Sequence, residues 1–299
     1  MLGIGGGGDV VGALASALTF ESTAVDTIVG GVSWERLPID PLAGPRTSAE
    51  ILDGRELAAR VLLAEPQTRT TSGAVFAESH MASFLGRDTL LVDPNGGPAE
   101  VADGLEQATK QLDADLVAFV DVGGDVLAAG GEPGLASPLC DAVMLAAADL
   151  LQRRGVPCVG AVFGPCCDGE LTLAELLDQL AIVCSEGGLI GARALDEAHI
   201  ERMEAALAVV PTEASAQAIR CARGEIGETT IRRGRRSVPL SPVGAMTFYF
   251  DPGKAMASAA RLASAVSQAN SLEQANGVLR GLGVNTELDY ERENAPAPH

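Results

Sequence analysis

Residues 1–18 read MLGIGGGGDVVGALASAL, and this stretch decides the fold that the sequence predicts. The apolar run Met1–Ile4 has the length of a short strand, and Val10–Leu18 has the small apolar residues of a buried helix. Four glycines and Asp9 separate the two segments. A strand, a glycine-rich turn and a helix in this order are typical of the first unit of a Rossmann-like α/β fold.

The same alternation of apolar runs and helical patterns continues along the chain. Further strands are predicted at Val25–Val29, Thr89–Val92, Leu116–Val120 and Cys158–Phe163. Helices are predicted at Arg46–Ala59, Glu78–Leu85, Pro98–Leu112, Pro138–Arg154, Leu171–Cys184 and Ala194–Leu207. This spacing predicts βαβ units, and therefore a Rossmann-like, mostly parallel sheet with helices on both faces.

The pattern changes after Arg220. A C-terminal strand pair and two further helices are predicted there, at Glu228–Val238 with Thr247–Phe250, at Lys254–Ala265 and at Ser271–Leu282. We expect residues 1–285 to form a single α/β domain, with a subdivision near Pro211 as the alternative. Residues 286–299 are predicted to be a disordered tail, since they are polar and end in a proline-rich stretch.

The charge balance excludes whole classes of function. The 299 residues hold 40 acidic and 21 basic side chains, which gives a formal net charge of −19. Nucleic acids and anionic membranes both need a basic surface on the protein, so neither partner is predicted. Because no basic residue precedes Arg36 and no uncharged apolar stretch reaches the roughly 20 residues of a membrane span, neither a secretory leader nor a span is predicted. We therefore expect a cytoplasmic protein whose partner is a small-molecule substrate.

Acidic residues follow the predicted strands, at the positions where open α/β sheets bind their ligands. Four of them are predicted to meet and to hold a metal ion: Asp9, Asp121, Asp125 and Asp168. Carboxylates at one edge repel one another unless a cation or a shared proton relieves them, and Mg²⁺ prefers oxygen ligands. The alternative is that each acid caps the helix after it, because Asp is a favoured cap. The neighbouring glycines favour the metal site, since capping does not need them.

The glycine-rich turns and one aromatic loop supply the predicted ligand-binding residues. These are Gly6, Gly7, Gly8, Trp34, Glu35, Arg36, Arg46, Gly123, Gly124 and Ser137. Amides at a helix N-terminus can hold a phosphate, and Trp34 beside Arg36 can stack on a ligand ring. The spacing Gly3-x-Gly5-x-x-Gly8 also matches a dinucleotide fingerprint, but NAD is not favoured because no acid follows the second strand. The alternatives are that Trp34 anchors its loop and that Ser137 only caps a helix.

Three residues are predicted as the catalytic acid or base: Glu132, Glu170 and His80. The glutamates lie in glycine-rich segments after predicted strands, whereas His80 is one of three histidines in the chain. A structural role is the alternative for His80, because no nucleophile motif of the G-x-S-x-G kind accompanies it. The one basic segment, residues 220–236, is predicted either to bind an acidic group of the substrate or to contact a second subunit. The second interpretation is favoured and predicts a homo-oligomer.

Several of these motifs together resemble a known family. They are GGGGDVVGAL (5–14), WER (34–36), DP (40–41), GPR (44–46), DVGGD (121–125), SPL (137–139) and DGE (168–170). On them the sequence is similar to domain of unknown function 1152, a family of archaea and actinomycetes, from the first residues to about Leu279. The resemblance implies a single intact α/β unit, and it brings no established activity with it.

The sequence therefore predicts a Mg²⁺-dependent hydrolase or lyase that acts on a small phosphorylated or diphosphorylated metabolite or a nucleotide. Kinase chemistry is not favoured, because neither Lys110 nor Lys254 lies in a phosphate-binding loop. One alternative is a metal-free enzyme in which paired carboxylates divide the acid and base roles on a sugar or hydroxy acid. The other is a nucleotide-binding sensor or assembly subunit without catalysis.

Overall fold

The computed structural model describes residues 1–21, 25–37, 39–210 and 212–295. The strands are β1 (Leu2–Gly3), β2 (Gly30–Val32), β3 (Ile51–Ala58), β4 (Val61–Thr70), β5 (Thr89–Val92), β6 (Val117–Val122), β7 (Cys158–Phe163), β8 (Leu189–Ala194), β9 (Gly227–Ile231), β10 (Arg236–Leu240) and β11 (Met246–Phe250). The helices are α1 (Val10–Glu21), α2 (Ala77–Leu85), α3 (Gly97–Leu112), α4 (Pro138–Arg153), α5 (Leu173–Ser185), α6 (Glu197–Leu207), α7 (Glu213–Ala222), α8 (Pro252–Ser258), α9 (Arg261–Val266), α10 (Leu272–Gly281) and α11 (Glu287–Asn294).

The central sheet has its strands in the order β3-β4-β5-β2-β1-β6-β7-β11-β8. The five strands from β5 to β7 run parallel, while β3, β4 and β11 pair antiparallel with their neighbours. The chain builds outward from β1 through β2 and β5, and then crosses to β6 and β7 on the other side of β1. Open α/β sheets bind ligands beyond the carboxyl ends of the strands where the order reverses in this way, here β1 and β6.

Each face of the sheet is covered by helices and has its own apolar core. Alternate residues of β6 point to opposite cores: Phe119 belongs to one, while Ala118 and Val120 belong to the other. Helices α3, α4, α9 and α10 contribute to the first core, and α1, α2, α6 and α7 to the second. The predicted α/β class, with a mostly parallel sheet and helices on both faces, is confirmed.

The predicted helix Arg46–Ala59 is wrong. Thr47 does start a capped turn, in which the Thr47 amide donates to the Glu50 carboxylate at 2.9 Å, but only one 3-10 turn (Ser48–Glu50) follows. Ile51–Ala58 then pairs antiparallel with Val61–Thr70 and extends the sheet at its edge. The capping signal at Thr47 concerns only one turn of the chain. The strand Ile51–Ala58 forms because β4 pairs with it, and a helical pattern within residues 46–59 contains no information on that partner.

Other elements are shifted or paired differently from the prediction. The second strand lies at Gly30–Val32 instead of Val25–Val29, and β8 was not predicted. The predicted C-terminal strand pair is present as an antiparallel hairpin, but its members are β9 and β10 instead of Glu228–Val238 and Thr247–Phe250. Strand β11 instead enters the main sheet between β7 and β8.

The segment from residue 286 onward is not a disordered tail over its described part. Helix α11 occupies Glu287–Asn294, and the side chains of Glu287 and Glu291 are buried. A polar helix can pack in this way because these carboxylates accept hydrogen bonds from other parts of the chain, as described below. Residues 296–299 and Pro211, near which a subdivision was considered, lie outside the described residues.

Two further features of composition are seen in the structure. All six cysteines lie in the described ranges and are free thiols. Among the described helices, none combines the length and the apolar composition needed to cross a membrane.

Candidate functional site

Six acidic side chains meet beyond the carboxyl ends of β1, β6 and β7. They form two groups of three, and within each group one carboxylate oxygen per residue lies within 4.8 Å of the others. The first triad is Asp9, Asp121 and Asp141, and the second triad is Asp125, Asp168 and Glu170. The structure thus brings the four predicted metal-binding aspartates to one edge of the sheet and adds Asp141 and Glu170 to them.

Asp9 faces back into the glycine-rich turn. Its Oδ2 accepts a hydrogen bond from the Gly5 amide at 2.9 Å, and a Cβ added at Gly5 would lie 2.6 Å from the same oxygen. Loss of hydration on burial raises the pKa of Asp9 to about 7, although the Gly5 amide and the nearby Arg36 oppose the rise. The hydrogen bond from Gly5 places the Asp9 carboxylate in the glycine-rich turn. The capping interpretation would instead have directed this carboxylate to the first amides of α1.

Asp121 and Asp141 carry buried oxygen atoms that lack a hydrogen-bond partner. Asp121 is the last residue but one of β6 and has no exposed surface; its Oδ2 accepts from the Val126 amide at 3.3 Å, while its Oδ1 has no partner. Asp141, in the first turn of α4, is 1 % exposed, and its Oδ1 also lacks a partner. A buried carboxylate oxygen without a donor is costly, so each is a position where a proton or a cation is expected.

The second triad is partly neutralised by the protein itself. Glu170 accepts hydrogen bonds from the amides of Ala136 (2.7 Å) and Ser137 (2.8 Å), and the Ser137 hydroxyl donates to its other oxygen. The Arg236 guanidinium lies 2.7 Å from that same carboxylate. Asp168 differs from Glu170, because its Oδ1 is buried and without a partner. Glu170, predicted as a catalytic base, is therefore held in a structural network.

Burial and mutual repulsion favour the protonated forms of these acids. The pKa of Asp121 lies well above its ordinary value because of burial first, and then because of the charges on Asp9 and Asp168. The pKa values of Asp125 and Asp141 are raised well above their ordinary values for the same two reasons. Burial, with repulsion from Glu170, raises the pKa of Asp168 to about 7. The site therefore favours added positive charge, either as protons or as a metal ion.

A cavity of about 690 Å³ lies next to the acids. Its wall comprises the loop 133–137, the hairpin around Arg232, Arg235 and Arg236, the side chain of Arg36, and helix α11. The Arg236 guanidinium also donates to the Asp168 carbonyl at 3.2 Å, so it connects the cavity to the second triad. A ligand in this cavity would contact arginine side chains and the acidic side chains of α11, whereas none of the six acids of the triads lines it.

The Trp34–Arg36 loop serves mainly to anchor α11. Trp34 is fully buried, and its Nε1 donates to Glu291 at 2.9 Å, while the Arg36 guanidinium lies 4.4 Å from the centre of the indole ring. Glu35 accepts from the Ala77 amide at the start of α2, at 2.5 Å. The anchoring alternative for Trp34 is therefore what the structure shows, and Arg36 is the member of this loop that reaches the cavity.

Glycine is required at two of the predicted positions by close approach. A Cβ at Gly123, where φ is +128°, would lie 2.2 Å from Cγ of Asp168. At Gly7, where φ is +60°, it would lie 2.7 Å from Cγ of Arg36. The glycine pairs thus let the acidic and basic side chains of the site pack against the backbone. The remaining predicted glycines, Gly6, Gly8 and Gly124, also have positive φ.

Besides Glu35, three predicted site residues with ionisable side chains lie outside both triads and outside the cavity wall: His80, Glu132 and Arg46. His80 is exposed on α2. Glu132 accepts from the amides of Ala129 (2.7 Å) and Gly130 (2.8 Å), so it closes its own loop. Arg46 is buried, donates to carbonyls of its own loop and lies 3.3 Å from Asp40. The charge of this guanidinium, which was predicted to bind a ligand, is therefore neutralised by Asp40. None of the three lines the cavity.

The basic segment 220–236 divides into two parts with different roles. Arg220 pairs with Glu225, and Arg223 pairs with Glu197 and Glu204, so these two arginines are neutralised on the surface of the same chain. Of the four that follow, Arg232, Arg235 and Arg236 line the cavity, and Arg233 does not. The prediction that this segment binds an acidic ligand group thus has a structural basis in its second half, and the subunit contact stays a prediction.

Sequence reasoning missed three groups of acids. Asp141 was not among the predicted ligands, although an acid among the apolar residues of a predicted helix is itself a signal. Glu78 is buried near Glu35 and Asp9, and a Cβ at Gly31 would lie 2.0 Å from its Oε1, which explains the glycine in the middle of β2. Glu287 and Glu291 were placed in a disordered tail, and no local signal in the sequence marks them.

The chain belongs to the family described as a protein of unknown function (DUF1152), which matches residues 1–295. This confirms the family resemblance seen in the motifs. No curated protein and no solved structure matched the chain. The family match brings no activity with it, so the function must be argued from the site.

Proposed function

We propose that this DUF1152 protein is a metal-dependent hydrolase or lyase acting on a small phosphorylated or diphosphorylated metabolite, with a nucleotide as one form of that substrate. The observation that carries the proposal is the pairing of two features: buried carboxylates with unpartnered oxygens at the strand-order reversal, and an adjoining cavity of about 690 Å³ whose wall carries four arginines together with the acidic side chains of α11. Carboxylates attract a divalent cation, and arginines bind phosphate oxygens.

The first triad is the better candidate for the cation. Its members have few donors: Asp9 accepts from the turn, and Asp121 and Asp141 each keep an unpartnered buried oxygen. Glu170 of the second triad already faces Arg236 and three hydrogen-bond donors. Because the ligands are all carboxylate oxygens, Mg²⁺ or Mn²⁺ fits better than a metal that prefers sulfur or imidazole.

The two halves of the site would divide the chemistry between them. A divalent cation would neutralise phosphate charge and lower the pKa of an attacking water. Arg36, Arg232 and Arg236 would orient the phosphoryl group. Their positive charge would stabilise the negative charge that builds up in the transition state more than it stabilises the ground state. We assign no general base to Glu132 or His80, since Glu132 accepts from amides of its own loop, His80 is exposed on α2, and neither belongs to a triad.

Aspartates with pKa values near neutrality favour one alternative, acid–base catalysis without a metal. Burial raises the pKa of both Asp9 and Asp168 to about 7, which is the range in which a carboxyl group exchanges protons at physiological pH. Such an enzyme would act on a sugar or a hydroxy acid. Its activity would survive chelation by EDTA, whereas the metal-dependent enzyme would lose activity and regain it with Mg²⁺.

The decisive experiment is calorimetric titration of Mg²⁺ and Mn²⁺ into the wild type and Asp121→Asn, followed by assays of phosphate release from phosphate esters and diphosphates. We expect the substitution to weaken cation binding at least about 10-fold, because even the loss of a group that only hydrogen-bonds to a metal ligand has an effect of about this size, and to abolish phosphate release. Asp115→Asn is the matched control, because Asp115 is exposed just before the opposite end of β6. Equal cation affinity in Asp121→Asn and the wild type would refute the metal site. Cation-dependent phosphate binding without turnover would indicate a sensor in place of an enzyme.

Location and assembly complete the proposal. We propose a cytoplasmic protein that does not act on nucleic acid or at a membrane, in line with its net charge of −19. We also propose a homo-oligomer.

A further inference from the structure

Helix α11 places a carboxylate on the N-terminus of α4. The Glu287 carboxylate accepts hydrogen bonds from the amides of Leu139 (3.0 Å) and Cys140 (2.9 Å), which lie in the first turn of this 16-residue helix. These amides have no partner within the helix, and together with the helix dipole they form an anion-binding position. Ser137 stands at the cap position but makes no capping hydrogen bond, because its hydroxyl donates to Glu170. The position is therefore filled by a residue distant in sequence.

A guanidinium completes this anion-binding position. Arg36 Nη2 lies 3.5 Å from the Glu287 carboxylate, and Arg36 Nη1 lies 3.7 Å from that of Glu291. Arg36 Nη1 is buried and lacks a hydrogen-bond partner, as does Oε1 of Glu291. Two backbone amides and one arginine are the donors that proteins commonly present to a phosphoryl group, so the carboxylate of Glu287 leaves part of their capacity unused.

Glu287 is also a poor occupant on electrostatic grounds. Asp141, which is 1 % exposed and has an unpartnered Oδ1, lies in the same first turn of α4. Because the Glu287 carboxylate accepts from the Leu139 and Cys140 amides, it also lies at this first turn. A carboxylate here therefore repels the first triad, whereas a phosphoryl group that arrives with a divalent cation would neutralise it. The adjoining cavity, whose wall includes Arg36 and Glu287, has room for the rest of such a ligand.

We propose that the Leu139 and Cys140 amides and Arg36 form the subsite for a phosphoryl group, and that Glu287 on α11 occupies this subsite until a metal-bound phosphate ester or diphosphate displaces it. The inference rests on the proposed function and adds two features to it: the phosphoryl subsite, and the Glu287 side chain that occupies this subsite, which we call the plug. It makes α11 a displaceable part of the site. The apparent affinity for the ligand is then the affinity of the open subsite multiplied by the fraction of molecules in which the subsite is open. Because Glu287 keeps this fraction small, the apparent affinity is lower than that of the open subsite.

The test uses inorganic pyrophosphate with Mg²⁺ as the probe and the full chain with Glu287→Gln. Removing the plug's charge weakens its contact with Arg36, so we expect pyrophosphate to bind about 10-fold or more tightly than to the wild type. Glu287→Ala, which leaves no polar group on the subsite, should bind at least as tightly as Glu287→Gln. Glu293→Gln is the matched control: Glu293 lies on the same helix and lines the same cavity, but is exposed. Its affinity should stay within about twofold of the wild-type value, because exposed charges are screened.

Trp34 gives a second, independent measurement. It is the single tryptophan of the chain, it is fully buried, and it donates to Glu291 of α11. Displacement of α11 should break this hydrogen bond and hydrate the indole, which shifts its fluorescence emission to longer wavelength on addition of Mg²⁺-pyrophosphate. The same spectrum before addition shows whether each variant is folded.

The outcomes separate this inference from the proposed function. Tighter pyrophosphate binding in both Glu287 variants but not in Glu293→Gln, with the emission shift, supports the plug. Unchanged or weaker binding in both Glu287 variants overturns it, and if Mg²⁺ still binds to the wild type and not to Asp121→Asn, the proposed function stands. Binding of pyrophosphate that depends neither on Glu287 nor on Asp121 overturns both. Failure of the wild type and of every variant to bind pyrophosphate overturns the subsite.

Discussion

Gly123 holds the two halves of the acidic site together, and its replacement tests that role. We expect Gly123→Ala to lower the free energy of unfolding by at least about 3 kcal/mol, because a non-glycine residue there is strained and its Cβ would overlap a buried group. The values that lead to this expectation are a φ of +128° and a distance of 2.2 Å from the added Cβ to Cγ of Asp168. Urea unfolding measures the change, and cation titration measures the displacement of Asp168.

Gly131→Ala is the control for this prediction. A Cβ at Gly131 meets no atom within 4 Å, and its φ lies outside the strained range. The free energy of unfolding should therefore change by less than about 1 kcal/mol. If both substitutions were equally mild, Asp168 would not be packed on the turn after β6 as described.

Individual residues of the site were predictable to different degrees. The positions after strands are an edge of the sheet in any parallel α/β fold, so Asp9, Asp121, Asp125 and Asp168 could be expected to converge. Asp141 belongs to the same cluster but was not predicted as a ligand, because an acid in a first helical turn has an ordinary explanation in the dipole. Arg46 could not be excluded from the sequence, since its partner Asp40 lies in the same irregular loop.

At the scale of elements, Glu170 connects three segments that the sequence separates. Its carboxylate joins the loop after β7 to the start of α4 and, through Arg236, to the hairpin β9–β10. Glu170→Gln leaves Arg236 without its partner inside a buried network, so we expect a loss of about 3 kcal/mol in the free energy of unfolding. Thermal and urea unfolding measure it. A general base with no structural role would instead lose activity at unchanged stability.

Glu132→Gln is the comparison variant, because Glu132 was the other predicted base. It accepts only from amides of its own loop, so its substitution should cost about 1 kcal/mol. A cost as large as that of Glu170→Gln would show that the loop 129–132, and not the junction at Glu170, carries the stability of this region.

The capping of α4 shows why some elements could not be read from local sequence. Ser137-Pro138 is a typical helix start, and α4 does begin at Pro138. The side chain that serves its first amides is nevertheless Glu287, which is 148 positions from Leu139. Helix α11 itself has charged residues on every side, so no apolar periodicity marks it. Its position depends on hydrogen bonds to distant backbone, which no window of the sequence contains.

For the whole molecule, the parallel half of the fold was predictable and the antiparallel edges were not. Buried parallel strands such as β6 and β7 are short apolar runs between helices, and this pattern identifies them. The edge strand β3 is exposed over much of its length and contains charged residues, so its pattern is close to that of a surface helix. Strand β11 joins the sheet by pairing with β7 and β8. Its own residues predict a strand but do not indicate which strands it pairs with.

The collection of buried acids makes the stability of the whole molecule depend jointly on pH and on divalent cations. Asp9 and Asp168 have a pKa of about 7 in the folded protein against an ordinary value of 3.8, so the folded state binds more protons than the unfolded state between these pH values. The resulting stabilisation is complete below about pH 3.8 and is lost as the pH rises through about 7. In the presence of EDTA, we therefore expect the contribution of these acids to lower the melting temperature between pH 5.5 and pH 8.

Cations should reverse this loss. At pH 8 a cation that binds only the folded state at 100 times its dissociation constant adds about 2.7 kcal/mol, so millimolar Mg²⁺ or Mn²⁺ should raise the melting temperature by several degrees. At pH 5.5 protons compete for the same oxygens, and the increase should be much smaller. NaCl at matched ionic strength is the control, because screening acts weakly on buried charges. An equal response to Mg²⁺ at both pH values, or to NaCl and Mg²⁺ alike, would mean that the buried carboxylates do not bind the cation.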